Sequence, residues 1–405
     1  MNIYLFNLLF LILSLTSCIN SNEENCLSKS RNKNKKYLVT NKCKIIQFFN
    51  YENNTISFNA KINDSINSNF IFDTGLTSSY SLFSKCFADK NGFSKFRTKN
   101  KNIYGVGIIH NIPIIDTLIR TEIFDCKKNL QFGIMDLGLS DELYDGIFNV
   151  HIFKENIIEL DFSKKTLKFH DNFSNSSFTK IILVKRGNVR LIELTINLSK
   201  TEKVKGLFML DTGYRGFIYL YANDTLFKNL NLKKESKRIL GMKNFNTDID
   251  TYSLKIPSVA LDSLIIENPI INFGKVNLPT EAKSIVLGLV GNKFLDKFNI
   301  IIDFKNNILY LKQINSNYEG DKSSFGASFS KIQNFAVIHS IIEHSLAHQK
   351  GLLPNDLVTE INGENVKRLT GTQIDSILYV LEKKNQPFKI SLYRNKSQMS
   401  ILINE

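Results

Sequence analysis

The chain has 405 residues, 43% hydrophobic and 22% charged, which excludes wholesale disorder and a collagen-like fibre and calls for two to four domains. Its net charge is +14, but seven basic residues and no acid lie between Ser28 and Lys44, whereas Ser316–Glu405 carries ten basic and nine acidic residues. A charge concentrated in one short tract argues against a nucleic-acid-binding face and describes a basic tether over residues 19–44.

In chain order, the first element is the apolar run within Asn2–Thr16, of signal-peptide length and too short for a comfortable membrane span. It ends in Leu15-Thr16-Ser17-Cys18, which resembles the lipobox of bacterial lipoproteins. That resemblance implies a signal segment over 1–18, lipidation at Cys18, and an exported protein held at the membrane of a bacterial cell envelope. Cys26, Cys43, Cys86 and Cys126 remain, an even number for an oxidising compartment, with three possible pairings and no spacing that selects one. No CxxC or Cys/His ligand spacing occurs, so a structural zinc site is not expected.

Next, Thr55–Asn63 alternates apolar and polar residues as a half-buried strand does, and Phe70-Ile71-Phe72 leads as a buried strand into Asp73-Thr74-Gly75. The same succession returns later. Leu191–Leu198 alternates, and Leu207-Phe208-Met209-Leu210 leads into Asp211-Thr212-Gly213. Lys44-Ile45-Ile46 recurs at Lys180-Ile181-Ile182, Ile103-Tyr104-Gly105 matches Ile239-Leu240-Gly241, and Gly146–Phe162 matches Gly288–Phe304 at an offset of 142. Four blocks in one order describe a duplicated β-rich unit of about 135–140 residues; two copies are too few for a solenoid, so paired lobes over 45–175 and 176–314 are expected.

A carboxylate after a buried strand costs free energy unless something uses it. Twofold pairing of the units brings Asp73 and Asp211 together, and two touching carboxyls share one proton. Such a pair can take a proton from water and donate one to a carbonyl oxygen. The chain therefore resembles bacterial aspartic proteases with two retropepsin-like or pepsin-like lobes in one chain. The resemblance implies a mainly β fold of two pseudo-twofold-related acid-protease barrels, and an aspartic-type endopeptidase (a hydrolase acting in proteolysis) with Asp73 and Asp211 catalytic and an extended polypeptide as substrate. No metal or organic cofactor is implied. Thr74, Gly75, Thr212 and Gly213 support the dyad, with Gly291 of Leu289-Val290-Gly291 behind one loop. Asn149 of Ile147-Phe148-Asn149 replaces the corresponding glycine, asparagine being tolerant of positive φ. Tyr104, Gly105 and Gly107 in Ile103–Ile109 form the flap candidate. Leu76 and Tyr214 stand where pepsin-like members carry Ser or Thr. With Asn149 they motivate the alternative, a catalytically weak or inactive peptide-binding scaffold at the cell envelope.

After a polar boundary at Asn315–Ser324, the stretch from His344 through Asn362-Gly363 resembles a bacterial PDZ domain, placed at 323–405 with an α+β fold. Thr372–Lys384 is the best helical segment, with Ile374, Ile377, Leu378 and Leu381 on one stripe. The resemblance implies a peptide-binding groove at which Phe325, Gly326, Ala327 and Phe329 receive a C-terminal peptide ligand.

Overall fold

Alternating side chains and aromatic-rich runs make strand the favoured local state over most of the chain. The computed structural model describes residues 46–104, 109–138, 143–222, 236–244, 247–275, 286–314, 325–332, 335–384 and 386–404. It is mainly β, and the described residues all fall within one compact unit. The signal segment, Cys18, the tether, Gly105, Gly107 and the boundary at 315–324 lie outside the described residues.

In the first part, β1 (Asn50–Glu52) turns into β2 (Thr55–Ile62), which pairs antiparallel with β3 (Ile66–Asp73). The β1–β2 turn is Asn53-Asn54, with φ of 48° and 56°, the left-handed pair that a two-residue hairpin requires. β4 (Ser81–Ser84) runs into helix α1 (Lys85–Lys90), capped by the Ser84 hydroxyl. β5 (Gly146–Asn149) inserts parallel to β3 and antiparallel to β4. The register sets Asn149 opposite Asp73.

The second part repeats this order of pairing. β6 (Val189–Asn197) lies antiparallel to β7 (Lys203–Leu210). β8 (Ile218–Ala222) lies antiparallel to β11 (Val286–Val290), which itself runs parallel to β7. Between them in sequence, β9 (Lys237–Leu240) pairs with β10 (Thr251–Lys255). The short helix α2 (Asn292–Leu295) follows β11.

A six-stranded sheet joins the two parts, in the order Ile46–Phe48, Thr166–His170, Ile157–Asp161, Phe298–Asp303, Ile308–Gln313, Thr179–Ile182. One hydrophobic core runs through both parts, from Phe49 to Leu311. Its densest region is aromatic: Phe83 and Phe132 stack with centroids 4.0 Å apart, and Phe58 meets Phe148 edge to face at 5.4 Å. Each such pair adds about 0.5–1.5 kcal/mol beyond simple burial.

The C-terminal part has its own core, built on Phe325, Ile338, Leu352, Ile374, Leu378 and Ile390 among others. β12 (Ala327–Ile332) pairs with β13 (Phe335–Ile342), helix α3 (Leu346–Gln349) follows, and α4 (Gly371–Lys383) packs beside β12. Thr370 and Gln373 form a reciprocal capping box that starts α4 one residue before its expected position. Ile374 and Leu378 are fully buried, while Ile377 and Leu381 pack at the edge of the core. Asn362-Gly363 forms the expected tight hairpin, both residues with positive φ. β13 also pairs with β9 through Ile239–Ile342 and Leu240–Ile341, so the C-terminal sheet continues into that of the second part.

Candidate functional site

β3 and β7 each deliver an Asp-Thr-Gly triplet to the same place. The Asp73 and Asp211 carboxyls stand close enough to act on each other's ionisation. Each is only 9% exposed. The threonines interlock: Thr74 N donates to Thr212 Oγ1 and Thr212 N donates to Thr74 Oγ1, both at 3.0 Å. Thr74 Oγ1 then donates to the Leu210 carbonyl at 2.8 Å, and Thr212 Oγ1 to the Phe72 carbonyl at 2.7 Å. Gly75 N donates to Asp73 Oδ1 at 2.6 Å and Gly213 N to Asp211 Oδ1 at 2.9 Å. A Cβ on Gly75 would collide with the Asp211 carboxyl, and one on Gly213 would lie 2.7 Å from Asp73 Oδ2, so each glycine admits the opposite carboxyl.

Burial pushes Asp73 up to about 6, against the lowering pull of the Gly75 and Leu76 amides and of the Asp211 carboxyl. Burial first, and the Asp73 charge second, hold Asp211 well above the ordinary carboxylate range. The pair thus keeps a proton where solvated carboxyls have lost theirs. Chemically it can give and take a proton at one point.

Apolar and aromatic side chains pack on the elements that carry the pair. Tyr219 is 1% exposed and packs with Leu289, Met209, Tyr214, Tyr221 and Ile249. Tyr221 stands near enough to the Asp211 charge for it to help raise the phenol pKa, after burial. The Tyr214 hydroxyl accepts from Asn272 Nδ2 at 3.1 Å, and Leu76 is buried among Ile71, Ile103 and Ile147. Asn149 does not use positive φ: it ends strand β5, its amide donates to Ser81 Oγ at 3.1 Å, and its side chain donates to the Ser78 carbonyl. Asparagine stands here for its side-chain amide and not for a tolerance of positive φ. A side-chain amide braces the loop after Asp73 in place of a close backbone approach.

Of the remaining candidates, Gly291 donates its amide to the Phe217 carbonyl at 3.0 Å. Tyr104 ends strand Thr98–Tyr104; its companions Gly105 and Gly107 are among the residues not described. Phe325 is fully buried against Phe388, and its carbonyl accepts from Ala347 N. Gly326 takes φ of 82° and accepts from Ile342 N at 2.7 Å; Ala327 opens β12 and Phe329 is buried within it. Cys126 is disulfide-bonded, and Cys86 is free and exposed. An Arg394–Asp356 pair at 2.7 Å closes the base of the C-terminal domain.

One residue with structural weight carried no signal in the triplets themselves. Asn292 follows Leu289-Val290-Gly291, is fully buried, and donates from Nδ2 to the Thr212 carbonyl at 2.7 Å and to the Asn54 carbonyl at 2.8 Å. Its neighbour in the motif was the only available hint.

Comparison with known proteins gives two results. A family model described as PDZ domain matches residues 337–392, so the C-terminal part is a PDZ domain. The chain is also 30% identical over 94 residues to a protein of Staphylococcus saprophyticus subsp. saprophyticus described as "Probable CtpA-like serine protease", covering 21% of this chain and 19% of the relative. The chain thus spans about a fifth of that relative's length. This finding overturns the expectation of an aspartic-type endopeptidase, because the protease it resembles is named as serine type. The physical reason for the error lies in the triplets. A proton-sharing, threonine-locked carboxyl pair is also a stable way to join two buried loops, and sharing a proton does not by itself imply cleavage.

Proposed function

We propose that this chain is a PDZ-containing peptide-docking protein serving proteolysis, which receives the ends of extended polypeptides between β12 and α4. One observation carries the reading: among the described residues β12 pairs with β13 alone, and α4 packs against it. An extended ligand can add there as a further strand, with the amides of 325–327 receiving its terminal carboxylate. Fluorescence polarisation with a pooled library of C-terminal hexapeptides tests this. Amidating the carboxylate removes a charge-assisted contact and weakens binding about tenfold or more. Equal affinity for acid and amide forms would overturn the assignment.

The body preceding the domain is read as two lobes of acid-protease type, over 45–175 and 176–314, related by an approximate twofold. The repeated strand pairing and the reciprocal threonine bonds support this. So does the central pair of the six-stranded sheet, where Glu159 faces Ile301, equivalent positions under the 142-residue offset. Asp73 and Asp211 are read as the proton-sharing junction of the lobes, and no peptide cleavage is assigned to them. Cys18 is proposed as the lipid attachment site of an exported protein. Metabolic labelling with palmitate, lost in Cys18→Ser, checks it.

The name of the relative favours a second reading, a serine-type peptidase. A fluorophosphonate probe on the full chain separates the two: a single labelled serine supports the second, and an unlabelled chain that binds carboxylate peptides supports the first.

A further inference from the structure

The docking groove is not isolated from the carboxyl pair. Gly371, the first residue of α4, is approached by both Asn53 Oδ1 and the Phe329 carbonyl oxygen, which occupy the position where its Cβ would stand. Asn53 belongs to the β1–β2 turn, so that turn reaches the groove where α4 begins. Glu52, beside it, lies close enough to Lys331 of β12 for their charges to interact. The turn is held from behind as well. Asn54 gives its carbonyl to Asn292 Nδ2, the same group that holds the Thr212 carbonyl, and Tyr51 donates to Asp296 at 3.0 Å.

A ligand whose carboxylate sits at Phe325–Ala327 advances about 3.3 Å per residue along β12 and reaches Phe329 within about three residues. Beyond that point Asn53 stands in its way. We propose that any longer peptide in the PDZ groove displaces the Asn53-Asn54 turn, and that Asn292 transmits the displacement to the Thr212 loop and the carboxyl pair. This rests on the docking reading and adds a length-dependent coupling to it. Linkage is reciprocal: tightening the Thr212 loop weakens the binding of long peptides and leaves short ones unaffected. Asn53 and Asn292 are positioning residues in this scheme.

The test uses the full chain, with tripeptides and hexapeptides ending in the same free carboxylate, and hydrogen exchange read at three places. Hexapeptide protects β12 and speeds exchange at Asn54 and at Thr212–Tyr214; tripeptide protects β12 alone. Asn53→Gly keeps the positive φ of the turn and removes the obstructing side chain. It tightens hexapeptide binding about fivefold, leaves tripeptide binding unchanged and abolishes the response at Thr212–Tyr214. A hexapeptide that protects β12 with no response at Thr212–Tyr214 overturns the coupling alone. Absence of protection at β12 by any carboxylate peptide overturns the docking reading, and the coupling with it.

Discussion

Thr74 and Thr212 show how much one hydroxyl can hold. Each accepts from the opposite backbone amide and donates to the opposite strand's carbonyl, and both side chains are buried. Thr74→Val keeps the shape but strands the Thr212 amide and the Leu210 carbonyl, and unpaired buried groups cost about 1–3 kcal/mol each. A loss of about 2–4 kcal/mol in urea unfolding is expected, with Thr212→Val equivalent by symmetry of the bonds. The carboxyls beside them set a pH dependence. Asp73 moves from 3.8 to about 6 on folding, so the native state binds the extra proton between those values. Stability from this group is therefore complete below 3.8 and falls as pH rises through 6. Asp73→Asn, neutral throughout, flattens that decline; urea midpoints at pH 4 and pH 7 check it. Both triplets were legible as a repeated motif in an apolar context. That Asn149 braces by its side chain, and that Asn292 holds two carbonyls at once, was not, because a side-chain amide has no preferred partner until the loops are placed.

Among the elements, strands with strict alternation or continuous apolar runs were read at nearly their true extents: Thr55–Ile62 for an expected Thr55–Asn63, and Val189–Asn197 for Leu191–Leu198. In both, the first four residues are buried on both faces and alternation of buried with more exposed residues holds only in the second half, where the period shows in the sequence. Helix α4 was equally legible, its boundary moved only by the capping box. What pins the C-terminal hairpins beneath it was not read. Asp356 is 1% exposed, accepts from Leu353 N at 2.9 Å and takes both Nε and Nη2 of Arg394 at 2.7 Å. Arg394→Met leaves that carboxylate buried without its counter-ion, at a cost of about 3 kcal/mol. The double variant Arg394→Met/Asp356→Leu recovers most of the loss. Faster exchange in strand Leu357–Ile361 for the single variant, restored in the double, is the expected pattern.

At the scale of the whole molecule, the β9–β13 pairing makes the PDZ domain an extension of the second part's sheet. His339 lies in β13 at this junction. Burial, with Arg215 and Lys243 nearby, lowers its pKa from 6.5 to about 4. The unfolded chain binds the proton more readily, so stability is full above 6.5 and is lost as pH falls towards 4. His339→Gln removes this acid-side loss while Asp73→Asn leaves it in place, so acid titrations of the two variants separate the contributions. Arg215 directly follows Tyr214, which ties this junction to the loop that carries Asp211.

Duplication, β-rich composition, the Asp-Thr-Gly pair and a PDZ-like tail are properties of residue order, because repeat offset, alternation and turn pairs are local or periodic patterns. Partner choice is neither. Only the tertiary structure decided that the Asn53-Asn54 turn meets α4, that Tyr221 comes near the Asp211 charge, and that β9 joins β13. The strand pairing and the turn–helix contact join residues about 100 and over 300 positions apart, and nothing in the intervening sequence encodes their proximity until burial of the cores brings the loops together.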